Sequence, residues 1–317
     1  MSELTVDKKL QIFRSLFKGR EDAFALRWEK GTKSGYMPAW FYDPYRYRAH
    51  KMKGGTFHTY TDKTYLPFTD DQLAMHLNGD QLIGLYPLLH DNTSWFIAAD
   101  FDEKNWIADS QKFIEYCKAK NIPAYLERSR SGKGGHVWIF FSQQYPAVRS
   151  RKIVLTLLTE SGIISAFDKN SSFDRLFPNQ DILSGKGLGN LIALPLHRLA
   201  LDQGNSCFID SQTLQPFPDQ WDFLLEIQKV IVKELDELYR AISTIQPSRQ
   251  TESIEQGNNN LLTISLSNSL QLNRSAIPLT LINFLREELN FTNSAFIIKT
   301  KTGRNTFGTE CYFRFSE

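Results

Sequence analysis

Cysteine is scarce: Cys117, Cys207 and Cys311 stand far apart in 317 residues, with no C-x-x-C pair and no histidine nearby at ligand spacing. Neither a disulfide framework nor a zinc site is expected, and the usage fits a reducing compartment. Long apolar runs are missing too, and Met1-Ser2-Glu3 opens no signal-peptide pattern. The expectation is a cytoplasmic protein with no membrane partner. Nor is there an excess of either charge: 37 lysines and arginines against 35 acids leave +2. A whole-molecule basic field for nucleic acid is absent, so any such surface must be local. What remains is the composition of a globular chain, 41% hydrophobic and 23% charged, long enough for one large or two ordinary domains.

The most informative stretch is Ser94 to Trp106. Apolar residues from Trp95 to Ala99 lead into Asp100 and Asp102, so a buried strand ends in two acids one residue apart. Strand side chains alternate, which puts both carboxylates on one face and Phe101 on the other. Paired carboxylates leaving a strand are costly without a cation, and a divalent metal is the usual solution. A strand running into an acidic turn is the plain alternative.

Taken in order, Asp7 to Phe17 has helical spacing, and Arg20 to Trp28 is expected to continue as a second helix. Tyr45, Arg46, Tyr47, Arg48, Lys51 and Lys53 then interleave aromatic rings with bases, a pattern that suits single-strand binding by stacking and phosphate contact. A charged, solvated strand edge explains it equally well. Thr69-Asp70-Asp71-Gln72 reads as a capping box opening a helix through Leu77. After the acidic strand come a helix over Ser110 to Lys120 and a strand over Ala124 to Arg128. A glycine-rich turn, Ser129 to His136, follows, and then a strand over Val137 to Phe141. A helix from Arg149 to Ser161 and a last strand from Asn190 to Leu196 complete the set. Strand, helix, strand, strand, helix, strand is the split β-α-β order of a ferredoxin-like or RRM-like module, making the fold α/β (α+β). In that topology Asp100, Asp102, His136 and Asp181 converge on one sheet edge.

Asp219 to Tyr239 has the spacing of one long amphipathic helix, and Gln246 to Asn260 that of a linker. The remainder holds an expected helix from Leu279 to Leu289 and a hairpin around Thr302 to Asn305. The organisation expected is an N-terminal α/β module (1–93), a catalytic module with its C-terminal helix (94–245), a linker (246–260) and a small appendage (261–317).

Asp100, Asp102 and Asp181 are the candidate ligands for one or two divalent ions in an in-line phosphoryl displacement. The turn supplies donors for the leaving phosphates: Ser131, the backbone at Gly134 and Gly135, Lys133 and His136. It is not a Walker A loop, since it enters a strand with the wrong spacing. Each residue also has a plainer role, the turn as a surface turn, His136 as a satisfied structural histidine and Asp181 as a loop cap. Asp174 is the alternative third carboxylate. Asn190 and His197 bracket the last strand, where either could contact a nucleotide or only satisfy backbone.

These residues resemble the three motifs of archaeo-eukaryotic primases, or primase-polymerases. The wording is similar to the branch found in TOTE conflict systems and CRISPR-associated primase-polymerases: F-K-G-R-E-D at 17–22, G-Y-M-P at 35–38, A-D-F-D at 99–102, E-R-S-R-S-G-K-G-G-H-V-W at 127–138, L-F-P-N-Q-D at 176–181 and G-L-G-N-L-I-A-L-P-L-H at 187–197. The resemblance implies a DNA primase-polymerase that initiates and extends strands on single-stranded DNA. It implies Mg²⁺ or Mn²⁺ on Asp100, Asp102 and Asp181, and the incoming nucleoside triphosphate on the Ser131 to His136 turn. It also implies a groove between two modules for template and primer, and a fused or associated helicase, nuclease or CRISPR protein as partner. The tail from Leu261 resembles the segment that precedes a helicase in TOTE proteins, which makes the chain a candidate fragment of a longer one. A metal nuclease on a similar sheet and a non-catalytic single-strand-binding module are the alternatives.

Overall fold

The computed structural model describes residues 4–164, 171–183, 185 and 187–244, with four short strands at 264–266, 270–272, 291–292 and 312–313. By its contacts the chain divides into two units, Met1–Gln246 and Pro247–Glu317. In the second, residues 264–266 pair with 270–272 and residues 291–292 with 312–313, both antiparallel. The expected linker at 246–260, helix at 279–289 and hairpin turn at 302–305 lie outside the described residues. No described helix is long and apolar enough to cross a membrane.

The first unit opens with α1 (Val6–Leu16), which buries Ile12, Phe13 and Leu16 at helical spacing. A second helix does not follow. Instead β1 (Ala25–Lys30) and β2 (Lys33–Pro38) form a hairpin around Gly31-Thr32, with Gly31 at φ +58°. A two-residue hairpin turn needs left-handed backbone, which glycine adopts without strain, and this local signal prevails over the helical one. Next, β3 (Trp40–Tyr42), α2 (Pro44–Met52) and β4 (Lys63–Tyr65) make an excursion in which the two strands pair. α3 (Asp70–Asn78) begins after Thr69, whose side chain makes no capping bond, and β5 (Ile83–Leu85) follows.

The second sheet is built from β6 (Thr93–Asp102), α4 (Trp106–Ala119), β7 (Tyr125–Arg128), β8 (Gly134–Pro146), α5 (Ala147–Glu160) and β9 (Phe173–Phe177). β10 (Ile192–Ala193), α6 (Arg198–Leu201), β11 (Cys207–Phe208), α7 (Gln220–Glu226) and α8 (Val232–Thr244) complete the unit. Strand order is β11-β7-β8-β6-β9 in this sheet and β10-β5-β1-β2 in the N-terminal one. The mixed α/β class is as expected, but the strand beside β6 is Phe173–Phe177, and the segment expected there, Asn190 to Leu196, pairs instead with β5. Burial explains the exchange. Leu176 and Phe177 enter the cores on opposite faces of the β6 sheet, whereas Ile192 and Leu194 fill the core around Ile83 and Leu85. The single helix expected from Asp219 is two, because Val230 leaves helical geometry to bond the Phe140 carbonyl (2.8 Å) and the Ser142 N–H (2.9 Å).

One face of the β6 sheet, with Ile97, Ala99, Phe101, Val137 and Ile139, packs on α4, α5 and α8. The other, with Phe96, Ala98, Trp138, Phe140 and Phe177, packs on α1 and the N-terminal sheet. Alternation along β6 assigns Asp100 and Asp102 to this second face, at its open end. The outer strand β11 is held by buried Gln220, whose amide accepts from Phe208 N–H (2.7 Å) and donates to the Phe208 (2.9 Å) and Phe217 (3.1 Å) carbonyls. Gln220→Leu keeps the volume and orphans those groups; unfolding in urea should show a loss of about 3 kcal/mol.

Candidate functional site

Antiparallel pairing aligns one residue from each strand in a row. Arg175 of β9 lies opposite Asp100, Asp100 opposite His136, His136 opposite Glu127, and Glu127 opposite Phe208. Directly opposed residues share a face, so this row crosses the sheet on the side that the N-terminal half covers. Next to it, Phe101 turns to the other face, its ring 6.1 Å from Phe113.

The third acid enters through a bulge. β9 pairs Arg175 with Asp100 but Phe173 with Phe101, leaving Asp174 as the extra residue. Without the bulge Asp174 would oppose Phe101 and point into the helical core; the extra residue re-aims it toward Asp100. Asp100, Asp102 and Asp174 each bring an oxygen within 4.8 Å of the others. Asp181, expected to be the third ligand, is not in this group. It follows β9, where it forms an ion pair with Arg151 of α5.

His136 is held from behind. Its Nδ1 lies 2.7 Å from Glu127 Oε2, and that oxygen also accepts the Trp138 indole N–H at 3.0 Å. Nε2 faces the acids, 3.5 Å from Asp100 Oδ1. Burial by itself would lower the imidazole pKa, yet the Glu127 charge and hydrogen bond, helped by Asp100 and Asp102, raise it to about 9. His136 is thus an imidazolium at neutral pH, with one N–H spent on Glu127 and the other directed at the cluster. Burial pushes Asp100 up to about 6; His136 opposes that shift, Asp102 and Asp174 add to it, and Arg175 opposes it.

Ser131 accepts from Lys133 N–H at 3.2 Å, and Gly132 turns the chain at φ +71°. A Cβ on Gly134 would lie 2.2 Å from Asp102 Oδ1, so its bare backbone is what lets that carboxylate close over β8. A Cβ on Gly135 would meet the Trp106 ring at 2.7 Å. Lys133 is exposed beside an open pocket it shares with Glu103, Lys104, Trp106 and Ser172. Asn190 spends its amide on backbone, accepting from Asn179 N–H (3.1 Å) and donating to the Leu176 carbonyl (3.3 Å), and so holds the end of β9.

The aromatic and basic run lies on helix α2 rather than on a strand. Tyr47 is half-buried among Tyr42, Phe57 and Tyr60, and Arg46 is paired with Asp62 at 3.0 Å. Tyr45, 82% exposed, and Arg48, Lys51 and Lys53 face solvent. Glu127 is the site neighbour that local pattern does not announce; its one signal in the sequence is a lone acid in a short apolar strand, nine residues before His136 across a turn.

The donor set suits a hard divalent cation. Three carboxylates converge, and Asp102 accepts no hydrogen bond from a described residue. Arg175, 2.6 Å from Asp174, brings a positive charge to the same end of the sheet. An α/β body with acids and a buried histidine at one sheet end is the setting in which an archaeo-eukaryotic primase domain matches the chain. The family described as TOTE conflict system, Archaeo-Eukaryotic Primase domain, covers residues 8–238, and the chain belongs to it. No curated protein matches the chain. Among solved structures, the polymerase domain of Mycobacterium tuberculosis Ligase D in complex with DNA covers 76% of this chain and 88% of its own. It has 12% identity and a TM-score of 0.35, too slight a likeness to carry an argument.

The His136 shift fixes a pH dependence. A histidine whose folded pKa lies above its unfolded 6.5 stabilises fully below 6.5 and loses that contribution as pH rises through about 9. Metal-free protein should therefore lose on the order of 3 kcal/mol between pH 6.5 and 9.5 in denaturant titrations. Glu127→Gln should flatten this slope.

Proposed function

We propose that the chain is a template-directed nucleotidyltransferase, a DNA primase-polymerase that extends and initiates strands on single-stranded DNA. The observation that carries this reading is the convergence of Asp100, Asp102 and Asp174 within 4.8 Å, with the His136 imidazolium facing them. Asp174 replaces Asp181 as the third metal ligand. Mg²⁺ or Mn²⁺ bound there would neutralise triphosphate charge and make the attacking 3′-hydroxyl more acidic.

The protein's own groups divide the remaining work. His136 Nε2–H donates to a phosphate oxygen, and Glu127, which keeps Nδ1–H engaged, fixes the ring and its charge. Lys133 and the Ser131 hydroxyl meet the outer phosphates from the turn. Glycines 134 and 135 let Asp102 and Trp106 close on that turn. Asn190 acts one step removed, keeping β9 and hence Asp174 in place. The exposed side of α2, Tyr45 with Arg48, Lys51 and Lys53, grips single-stranded DNA by stacking and phosphate contact.

The reading also takes the β6–β9 module as the split β-α-β of an RRM-like domain, with β9 beside β6 as the fourth strand, and residues 1–93 as the module packed on it. A helicase, nuclease or CRISPR protein as companion belongs to the same proposal.

The test is a reaction of the protein with single-stranded DNA, Mn²⁺ and labelled nucleotides, with and without primer. Asp100→Asn, Asp102→Asn and Asp174→Asn should each cut template-dependent product by about a hundredfold or more. Asp181→Asn should stay within a few-fold of wild type. Equal loss in Asp181→Asn, or cleavage of the strand without added nucleotides, would count against the assignment. Separately, Tyr45→Ala with Arg48→Ala should weaken single-strand binding about tenfold in fluorescence anisotropy.

A further inference from the structure

The chain turns sharply just after the paired acids. Glu103 sits at φ +71°, left-handed backbone that a side chain of its kind adopts only under constraint, and such residues concentrate at functional sites. Trp106 N–H then closes back on the Glu103 carbonyl at 3.4 Å, so Lys104 and Asn105 form the corner of a tight turn. The strained residue ends β6 and keeps Lys104 near Asp102.

A pocket opens where this turn lies. Gly134 of β8 is the register partner of Asp102 on one side, and on the other Asp102 N–H donates to the Ser172 carbonyl at 2.8 Å. Lys133, which precedes Gly134, lines a single pocket with Ser172 and the Glu103–Trp106 turn. Its volume of about 860 Å³ falls within the range of small-ligand sites, roughly 300–1,000 Å³. Residues from both flanks of Asp102 thus bound one cavity beyond the end of the sheet.

The polar groups of this cavity differ in what they have left to offer. The Ser172 hydroxyl donates to Asp109 (2.6 Å), and the Ser171 hydroxyl accepts from Phe173 N–H (3.2 Å). The Lys104 and Lys133 ammonium groups are exposed and make no hydrogen bond or ion pair with a described residue. Against these two cations Glu103 is the one acid among the lining residues. The cavity is therefore net positive although it adjoins three carboxylates, and an anion with several charged oxygens complements it.

We propose that this cavity holds the β- and γ-phosphates of the incoming nucleoside triphosphate and then the leaving pyrophosphate, with Lys104 and Lys133 as its two cations. The proposal rests on the nucleotidyltransferase reading and adds Lys104, carried by the turn after β6, to Lys133 of the glycine-rich turn. In the reaction the 3′-hydroxyl oxygen bonds to the α-phosphorus while the bond from that phosphorus to the α–β bridging oxygen breaks. Pyrophosphate departs with the bridging oxygen, and the hydroxyl proton passes to water. Charge grows on the departing oxygen, and the two ammonium groups stabilise it there.

The test is binding of inorganic pyrophosphate and of a deoxynucleoside triphosphate by titration calorimetry in Mg²⁺ without DNA, with primer extension in parallel. Lys104→Gln should weaken both ligands about tenfold and raise the nucleotide KM by a similar factor, with single-strand affinity unchanged. Lys104→Arg should restore most of that affinity. Glu103→Gln should act in the opposite sense and tighten both ligands several-fold, since it removes the acid of the cavity. A nucleoside monophosphate should not distinguish wild type from Lys104→Gln. Wild-type affinity for pyrophosphate and triphosphate in Lys104→Gln would overturn the assignment. So would an equal loss of single-strand binding in that variant, which would make Lys104 a strand contact, or a Lys104→Arg variant as weak as Lys104→Gln. Wild type that binds pyrophosphate with these responses but forms no product on any template sinks the polymerase reading alone, whereas wild type that binds neither ligand sinks the pyrophosphate site.

Discussion

A carboxylate with 2% of its surface exposed needs a compensating charge, and Glu127 finds it in His136. That single buried pair sets much of what surrounds it. Trp138 spends its indole N–H on the same oxygen, so a charge is stabilised inside a core made otherwise of Phe96, Phe140 and Phe177. Because Glu127 takes one side of the imidazole, the other nitrogen has a fixed direction, toward Asp100. The acid that looks structural is therefore what gives the histidine its proton and its aim.

Opposite this pair, the geometry depends on a one-residue irregularity. Strand β9 would bury Asp174 if it paired in strict register, and the bulge rescues it to the side of Asp100. Two packing contacts fix the bulge. Phe173 sits 6.0 Å from Phe101 on one side of the sheet, and the Ser172 hydroxyl donates to Asp109 of α4 at 2.6 Å. Helix α4 thereby holds the approach to the third acid, while α5 occupies Asp181 through Arg151. The two acids flank the same short apolar pair, Leu176-Phe177, but only Asp174 stands beside the β6 acids.

This difference marks how much could be read from the chain alone. Asp100, Asp102 and His136 were legible because strand alternation and a hairpin turn are local, period-two signals. Asp174 against Asp181 was not, because the choice depends on which of two short apolar segments lies beside β6. That is decided by burial across two cores rather than by local pattern. The α2 helix shows the same limit. Tyr-Arg-Tyr-Arg alternates like a strand, yet Asp43 caps the following turn through Tyr45 N–H and Arg46 N–H, with Pro44 in the first turn, so a helix forms. Glu127 was hidden for the opposite reason: a buried acid looks like an error until its partner is placed.

The crossing of β10 into the N-terminal sheet bears on how this protein can be divided. The chain passes the acids on β9, leaves that sheet, adds a strand to β5 and then returns to it as β11. Each half is thus stitched to the other by an exchanged strand as well as by the shared apolar face. A piece beginning at residue 94 would retain every acid of the cluster and still lack both the partner for Ile192–Ala193 and the cover over Phe96, Trp138 and Phe140. It would expose a broad aromatic sheet face and an unpaired edge, the combination that drives aggregation in isolated fragments. A piece that keeps that face closed must therefore hold the N-terminal half and the β10 segment together.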